Sequence, residues 1–479
     1  MKKPADFSKY FLYRWRYTIG YCLIAAVLLV LLLVIGTRAP AGLSPAEMNA
    51  AATSASLSWS NLSTFEVVNL PYHLFQKAIF SVFGMTTFTI KLPSLILGVL
   101  AAGGFILLLR RWFTLNVAVL TSLIAVTTGQ FLFIAQSGTP SILYIFWSVA
   151  LLLLGTQVTR ATSHRFAAKI AFIGAVALSL YTPLSFYPLL AIVLTVFLHP
   201  HLRAILRRLS KKRLIVIGAI WAVLVTPLII LVTRNPSLIS ELLGLPRQWP
   251  PDIIQNIITV FKQYFLFWEP SNTTVMTPVF GLGSMLIIGI GLYRLIRTRE
   301  TTRSYLVTLL MLCLVPILLI NPTFTSITFI PAVLVMAAGI TSLIGYWYRL
   351  FPRNPYARIG GLVPIVILIG ALVSTGLIRY TYGYHYAPTT ASLFSKDLQL
   401  LPKKTETLVV TKAEQPFYAA AAKYRDGLHV TTQTPSHGTY TVTHAVHQHA
   451  SKEARRPYSV ITDASSSQAD RFYLYETRP

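Results

Sequence analysis

The chain has 479 residues, 54% of them hydrophobic and only 12% charged, with a mean hydropathy of +0.60. A soluble globular domain carries roughly 25% charged residues, so this composition excludes one. The net charge of +26 lies mostly in short segments between apolar runs, where it orients helices and meets anionic lipid; a nucleic-acid surface is excluded on that ground.

Lys2, Lys3, Lys9, Arg14 and Arg16 precede the first apolar run, Tyr17 to Ile35. That run is long and lacks a small-residue cleavage site, so it is expected to stay as a first helix. Further basic clusters follow at 110–111, 160–169, 203–213, 294–303 and 349–358, after every second apolar run. This is the positive-inside pattern of a multi-pass membrane protein. A span needs about 20 apolar residues. On that basis spans are expected near 17–36, 91–109, 113–135, 141–159, 167–182, 184–198, 214–233, 278–296, 304–320, 326–346 and 359–379, about eleven in all. The N-terminus is then cytoplasmic, and the C-terminal segment lies outside the plasma membrane. Cys22 and Cys313 fall inside apolar runs and read as packing residues, with no disulfide or metal site.

Two outer loops are long, 37–90 and 234–277. The first holds a polar helix over 44–57, then Asn69-Leu70-Pro71-Tyr72, then an apolar run over 74–83 too short to span. The second holds an aromatic-rich helix over 253–268. All three suit helices lying at the outer face of the membrane. After Arg379 the composition turns polar. Strands are expected at 407–411, 428–432, 440–443, 458–462 and 472–477, with a helix at 415–424. The expected fold is therefore an α-helical polytopic membrane domain over 1–380, with outer-face helices, followed by a small extracytoplasmic α/β domain over 381–479.

Acidic residues are scarce, so each one outside the membrane deserves inspection. Glu47, in Ser44-Pro45-Ala46-Glu47, sits in the first turn of the first-loop helix. Ser44 can cap that helix and Glu47 can complete a capping box. A catalytic role is the alternative. Asn61-Leu62-Ser63 and Asn272-Thr273-Thr274 match the glycosylation acceptor pattern and fall in outer loops. His437, His444, His447 and His449 are dense, but their spacing fits no zinc motif; a solvated loop is expected there, and no metal.

Pro71-Tyr72-His73 opens a stretch ending in Phe83-Gly84, and Lys91-Leu92-Pro93-Ser94 then opens the second span. With the first-loop helix, this order resembles the GT-C membrane glycosyltransferases, specifically the protein O-mannosyltransferase and aminoarabinose-transferase superfamily. Tyr181-Thr182-Pro183 to Pro188, the 261–277 segment and Phe329-Ile330-Pro331-Ala332 resemble later family features in the right order. There are departures. The family's Asp-Glu is Ala46-Glu47, its Arg-Leu-Pro-Ser carries Lys91, and the turn Gln136 to Ser141 lacks the usual Arg and Asp.

The resemblance implies transfer of a sugar from a polyprenyl-phosphate donor at the outer face, without a cofactor. Such a reaction needs a carboxylate base near the acceptor hydroxyl and cations near the departing phosphate. Glu47 is the candidate base, with Glu66 and Glu269 as alternatives. Lys91 is the candidate phosphate partner, with snorkelling to the headgroups as its alternative. His73 and Arg379 are further phosphate candidates, each with a plain interface role as the alternative. The expected partners are the lipid-linked donor, membrane lipid and a glycan, lipid or protein acceptor. Two other readings stay open: a non-catalytic scaffold or lipid-binding protein of the same fold, and a transporter or flippase of a lipid-linked glycan. The absence of an internal repeat weighs against the latter.

Overall fold

The structure is a computed structural model. It describes residues 42–57, 67–160, 165–207, 211–246, 248–267, 279–298, 301–350, 360, 362–385, 393–435, 438–449, 457–462 and 470–477, with isolated positions between 15 and 33. The described positions of the first apolar run are helical; the rest of the expected 17–36 span lies outside the described residues.

Each of the other expected spans carries a helix. In chain order these are Thr87–Trp112, the pair Leu115–Thr127 and Gly129–Gln136, Ile142–Arg160, Arg165–Ser179, Phe186–Leu198, Lys211–Arg234, Leu282–Arg297, Thr302–Ile320, Phe329–Leu350 and Leu362–His385. Among the described residues, six helices are long and apolar enough to cross a membrane, or seven if the bent pair is one span. The pair bends by 60°. Thr127 and Thr128 there donate back to the carbonyls of Leu123 and Ile124 at 2.7 and 2.8 Å, which competes with the helical ladder and favours a bend.

The Phe329–Leu350 helix is central and buried along most of its N-terminal half. Its partner is Leu282–Arg297, and the two cross on glycines. A Cβ on Gly291 would sit 1.9 Å from the Val335 carbonyl oxygen, and one on Gly339 would sit 2.1 Å from that of Ile287. Small residues at a crossing let backbones approach where lipid offers no hydrophobic drive between helices. Lys211–Arg234 and Leu362–His385 are peripheral and leave Ile215, Val223, Ile229, Val366 and Ile367 exposed, as lipid-facing helices should.

Short helices are present at Pro45–Ser56, Leu70–Phe83 and Ile253–Phe265, where three were expected, and none is long enough to span. The second starts four residues before the expected run, because Pro71 fits its first turn and Asn69, in the left-handed region at φ 59°, forms its N-terminal boundary. Ile253–Phe265 exposes Ile254, Ile257, Ile258, Phe261 and Phe265 along one face, an apolar stripe of helical period.

The last long helix runs to His385, past the expected domain boundary at 380/381. The C-terminal domain then forms one five-stranded sheet, ordered β2-β1-β3-β5-β4: β1 Thr407–Val409, β2 His429–Thr431, β3 Gly438–Thr443, β4 Ser459–Thr462 and β5 Arg471–Thr477. β2, β1 and β3 are parallel, and β5 is antiparallel to both β3 and β4. The helix Gln415–Ala422 matches the expected one. One expectation is corrected: the described late histidines are not a loop but part of a short helix, His444–His449, directly after β3. Side chains hold its half-buried face against the sheet. His444 Nδ1 lies 3.0 Å from the Tyr473 hydroxyl, His447 Nδ1 lies 2.6 Å from that of Tyr475, and the His447 ring stacks on Tyr473 at 3.7 Å.

Successive strand residues face opposite sides. On one side Val409, Val442 and Tyr473 pack together under the 444–449 helix. On the other, Leu408, Val410, Phe417, Tyr418 and Phe472 form a single core with Leu43, Met48, Ala51 and Ala55 of the first loop, and with Phe80 and Ile90. The Pro45–Ser56 helix is thus a layer of the C-terminal domain's core.

Candidate functional site

The local sequence Ser44-Pro45-Ala46-Glu47 does form the capping box. Ser44 Oγ accepts the Glu47 N–H at 3.3 Å, and Glu47 Oε2 accepts the Ser44 N–H at 2.7 Å. Capping leaves the other carboxylate oxygen free, and Oε1 accepts the backbone N–H of Gly138 at 2.6 Å. Glu47 is 0% exposed. Only glycine fits at 138, because a Cβ there would come within 2.8 Å of Ile90 Cγ2 and 3.0 Å of the Ile90 carbonyl oxygen. The 137–141 turn, which carries no charged side chain, thus meets the carboxylate through its backbone.

Lys91 lies in the first turns of the Thr87–Trp112 helix, which starts on a second capping box between Thr86 and Thr89. The snorkelling alternative is corrected: Lys91 is 5% exposed and points inward, its Nζ donating to the Gly42 carbonyl at 2.7 Å. The Phe394 ring lies 6.0 Å away, and the charges of Glu47 and Asp397 are near enough to act on it. Gly42 is packed so closely that a Cβ would overlap the Phe394 carbonyl oxygen at 2.0 Å. Three distant stretches therefore converge here: the 42–47 segment, the N-terminal end of the Thr87–Trp112 helix and the 137–141 turn.

Around them runs a buried polar scaffold. The Tyr72 hydroxyl lies 2.8 Å from Ser94 Oγ, which donates to the Thr139 carbonyl at 3.1 Å. Burial, opposed by the Ser94 bond and reinforced by the Glu47 charge, pushes the Tyr72 hydroxyl well above its ordinary range, so it stays a neutral donor. Gln76 Nε2 donates to the Ile90 carbonyl at 2.8 Å and so fixes the helix turn against which Gly138 packs.

His73 belongs to this scaffold. Its Nδ1 lies 2.8 Å from Ser54 Oγ, which also donates to Gln76 Oε1 at 2.6 Å. Burial pulls the imidazole down to about 4, against a smaller opposing pull from the Ala50 backbone, so the ring is neutral near pH 7. In this structure the ring is enclosed and bonded to Ser54.

Arg379 is half-buried on the Leu362–His385 helix. Its neighbour Tyr380 donates its hydroxyl to Gln136 Oε1, which brings this helix to the same turn. Glu66, Glu269 and both glycosylation patterns lie outside the described residues. So does His437; among the described residues no three His, Cys, Asp or Glu side chains gather as metal ligands. Inspection of side chains alone missed two participants, the Gly138 N–H and the Gly42 carbonyl. Both glycines were visible, but nothing local tells that a backbone group will meet a residue 91 or 49 positions away.

No protein-family model matches the chain, and no curated protein matches it in sequence. Its architecture has counterparts among solved structures. ArnT from Cupriavidus metallidurans bound to undecaprenyl phosphate superposes with a TM-score of 0.54 at 13% identity, over 95% of this chain and 98% of that one. Its apo state gives 0.50 at 12% identity over the same shares. The archaeal oligosaccharyltransferase AglB from Archaeoglobus fulgidus, in complex with an inhibitory peptide and a dolichol-phosphate, gives 0.51 at 13% identity, over 90% of this chain and 66% of that one. The likeness shows the fold: this is a multi-pass membrane protein with the GT-C architecture.

Proposed function

We propose that this chain transfers a sugar from a polyprenyl-phosphate donor to an acceptor at the outer face of the membrane, with Glu47 as general base and Lys91 as partner of the donor phosphate. The observation that carries this reading is the placement of a buried carboxylate and a buried ammonium within electrostatic reach of each other. Ionisable groups held at such depth are costly and mark functional sites. The GT-C fold, seen in ArnT with undecaprenyl phosphate bound, adds a donor class.

In this reading the acceptor hydroxyl oxygen attacks the anomeric carbon and its proton passes to Glu47. The bond from that carbon to the phosphate oxygen breaks, and the electron pair stays on the lipid phosphate. Lys91 meets the charge that develops there. The Ser44 and Gly138 N–H groups hold the carboxylate in one orientation, so no reorganisation is needed at the moment of attack. The reading includes eleven crossings, a cytoplasmic N-terminus and an extracytoplasmic C-terminal domain.

One observation favours the rival, a non-catalytic relative: Glu47 is sealed, and each of its oxygens already accepts a backbone N–H. Proteoliposomes supplied with a panel of polyprenyl-phosphate sugars separate the two. Transfer from at least one donor is expected. Binding of the bare lipid phosphate without transfer from any donor would favour the rival.

A further inference from the structure

One short stretch of the C-terminal domain, Phe394 to Asp397, lies across the Lys91 side of the site. The Phe394 ring faces Lys91, and its backbone packs on Gly42. The same ring meets Phe133 edge-on at 5.9 Å, at the bent helix pair. The Lys396 carbonyl accepts the Leu43 N–H at 2.6 Å, in an isolated antiparallel bridge one residue from the capping box. Asp397 Oδ1 accepts the Thr87 hydroxyl at 2.7 Å at the start of the Lys91 helix.

The stretch is held by charge from behind. Lys396 Nζ pairs with Glu414 Oε1 at 2.7 Å and with Asp470 Oδ1 at 3.7 Å. Glu414 is itself fixed, its Oε2 accepting the hydroxyls of Thr411 and Thr443 at 3.0 and 2.8 Å. The Asp397 N–H contacts Asp470 Oδ2 at 3.3 Å. The anchor lies entirely in the α/β domain, whereas the stretch it holds lies on the membrane domain. The stretch grips the segments that carry Glu47 and Lys91.

We propose that Phe394–Asp397 is a closing strap over the site, latched by Lys396 on Glu414 and Asp470, and that a lipid-phosphate donor reaches Lys91 only when the strap lifts. The bond from Lys91 to Gly42 then breaks, and the ammonium turns from a backbone carbonyl to a phosphate. The consequence for transfer rests on the function proposed above; the strap's own movement does not.

The test uses the full chain in lipid nanodiscs, with Cys22→Ser and Cys313→Ser as background. Leu43→Cys paired with Lys396→Cys places two thiols at a bridged antiparallel pair, a spacing that suits a disulfide. Lys396→Met alone removes the latch. Two readouts need no activity: deuterium uptake by peptides covering residues 42–57, and labelling of Glu47 by a water-soluble carbodiimide. Lys396→Met is expected to speed both roughly tenfold, the scale of one partly exposed charged hydrogen bond. The oxidised pair is expected to slow both to the background level or below. It should also block binding of bare undecaprenyl phosphate and any transfer, with recovery on reduction.

Unchanged uptake and labelling in Lys396→Met would overturn the strap, as would full undecaprenyl-phosphate binding by the oxidised pair. If uptake, labelling and lipid binding all respond as expected while no form transfers any sugar, the strap stands and the transferase reading fails.

Discussion

The Glu47 carboxylate accepts the Gly138 backbone N–H at 2.6 Å, joining the Pro45–Ser56 helix to the turn beyond the bent helix pair across 91 positions. The same carboxylate caps its own helix through the Ser44 N–H. A glutamate that only capped would need one oxygen; this one is committed through both. The dual role shapes what a substitution at this residue does.

Glu47→Gln removes the base and also turns an amide NH2 toward one of two N–H donors. Transfer is expected to fall by about 10²–10⁴, the usual cost of losing a general base. Stability is expected to fall by about 1–3 kcal/mol, because one buried N–H loses its acceptor. Ser44→Ala separates the two effects: it loses about 1 kcal/mol of capping but keeps the carboxylate, so transfer should survive. Measuring transfer and thermal unfolding on both variants decides it. Full activity in Glu47→Gln would pass the role to Glu66 or Glu269.

Gly138→Ala should damage the site without altering any charge. The added Cβ meets both the side chain and the carbonyl of Ile90, and the backbone atom cannot give way cheaply. The turn must back off, stretching the bond to Glu47. A drop in thermal stability of roughly 1–3 kcal/mol is expected, with a loss of transfer well beyond what that drop explains. Wild-type stability and activity would show that the turn has slack.

Lys91→Met keeps the length and apolar character of the side chain and removes the ammonium. If Lys91 meets the donor phosphate, KM for the lipid-linked donor should rise more than KM for the acceptor. Lys91→Arg should rescue poorly, since a planar fork does not replace a compact donor aimed at one carbonyl. Equal effects on both substrates would reduce Lys91 to a strut for Gly42.

His73 makes stability pH-dependent. Its folded-state value is about 4 against an ordinary 6.5, so the unfolded chain takes up the proton first as pH falls. The contribution is full above pH 6.5 and is lost as pH falls from 6.5 to about 4, by up to about 3 kcal/mol. Thermal unfolding in detergent across that range should steepen accordingly. In His73→Gln this part of the slope should vanish.

Topology is open to a direct check. Reporter fusions at Leu206 and after Pro479 should signal from opposite sides, cytoplasmic for the first and outside for the second. A cytoplasmic signal after Pro479 would change the number of crossings by one.

Much of the molecule was legible in its residues. Hydropathy runs and basic clusters located the long helices, because burial in lipid demands some twenty apolar residues in a row. Period-two alternation located β1 to β5 and composition located the 415–422 helix, since strand faces and helix starts are local properties. The capping box at Ser44 and Glu47 was legible for the same reason. The 444–449 helix was not, because six residues following a strand carry no cap or period to announce them; the stacking of His447 on Tyr473 holds it.

The site itself was decided by tertiary structure. Scarcity of acid drew attention to Glu47, yet its second bond comes from a backbone group that has no signature in sequence. By sequence Lys91 is as compatible with headgroups as with an inward position; the Gly42 carbonyl decides for the inward one. Length and composition suit the first-loop helices to the membrane face; that Pro45–Ser56 also forms a layer against a sheet more than 350 positions away is decided by packing alone. Local pattern specifies which face of an element is apolar, but only packing chooses the partner that covers it.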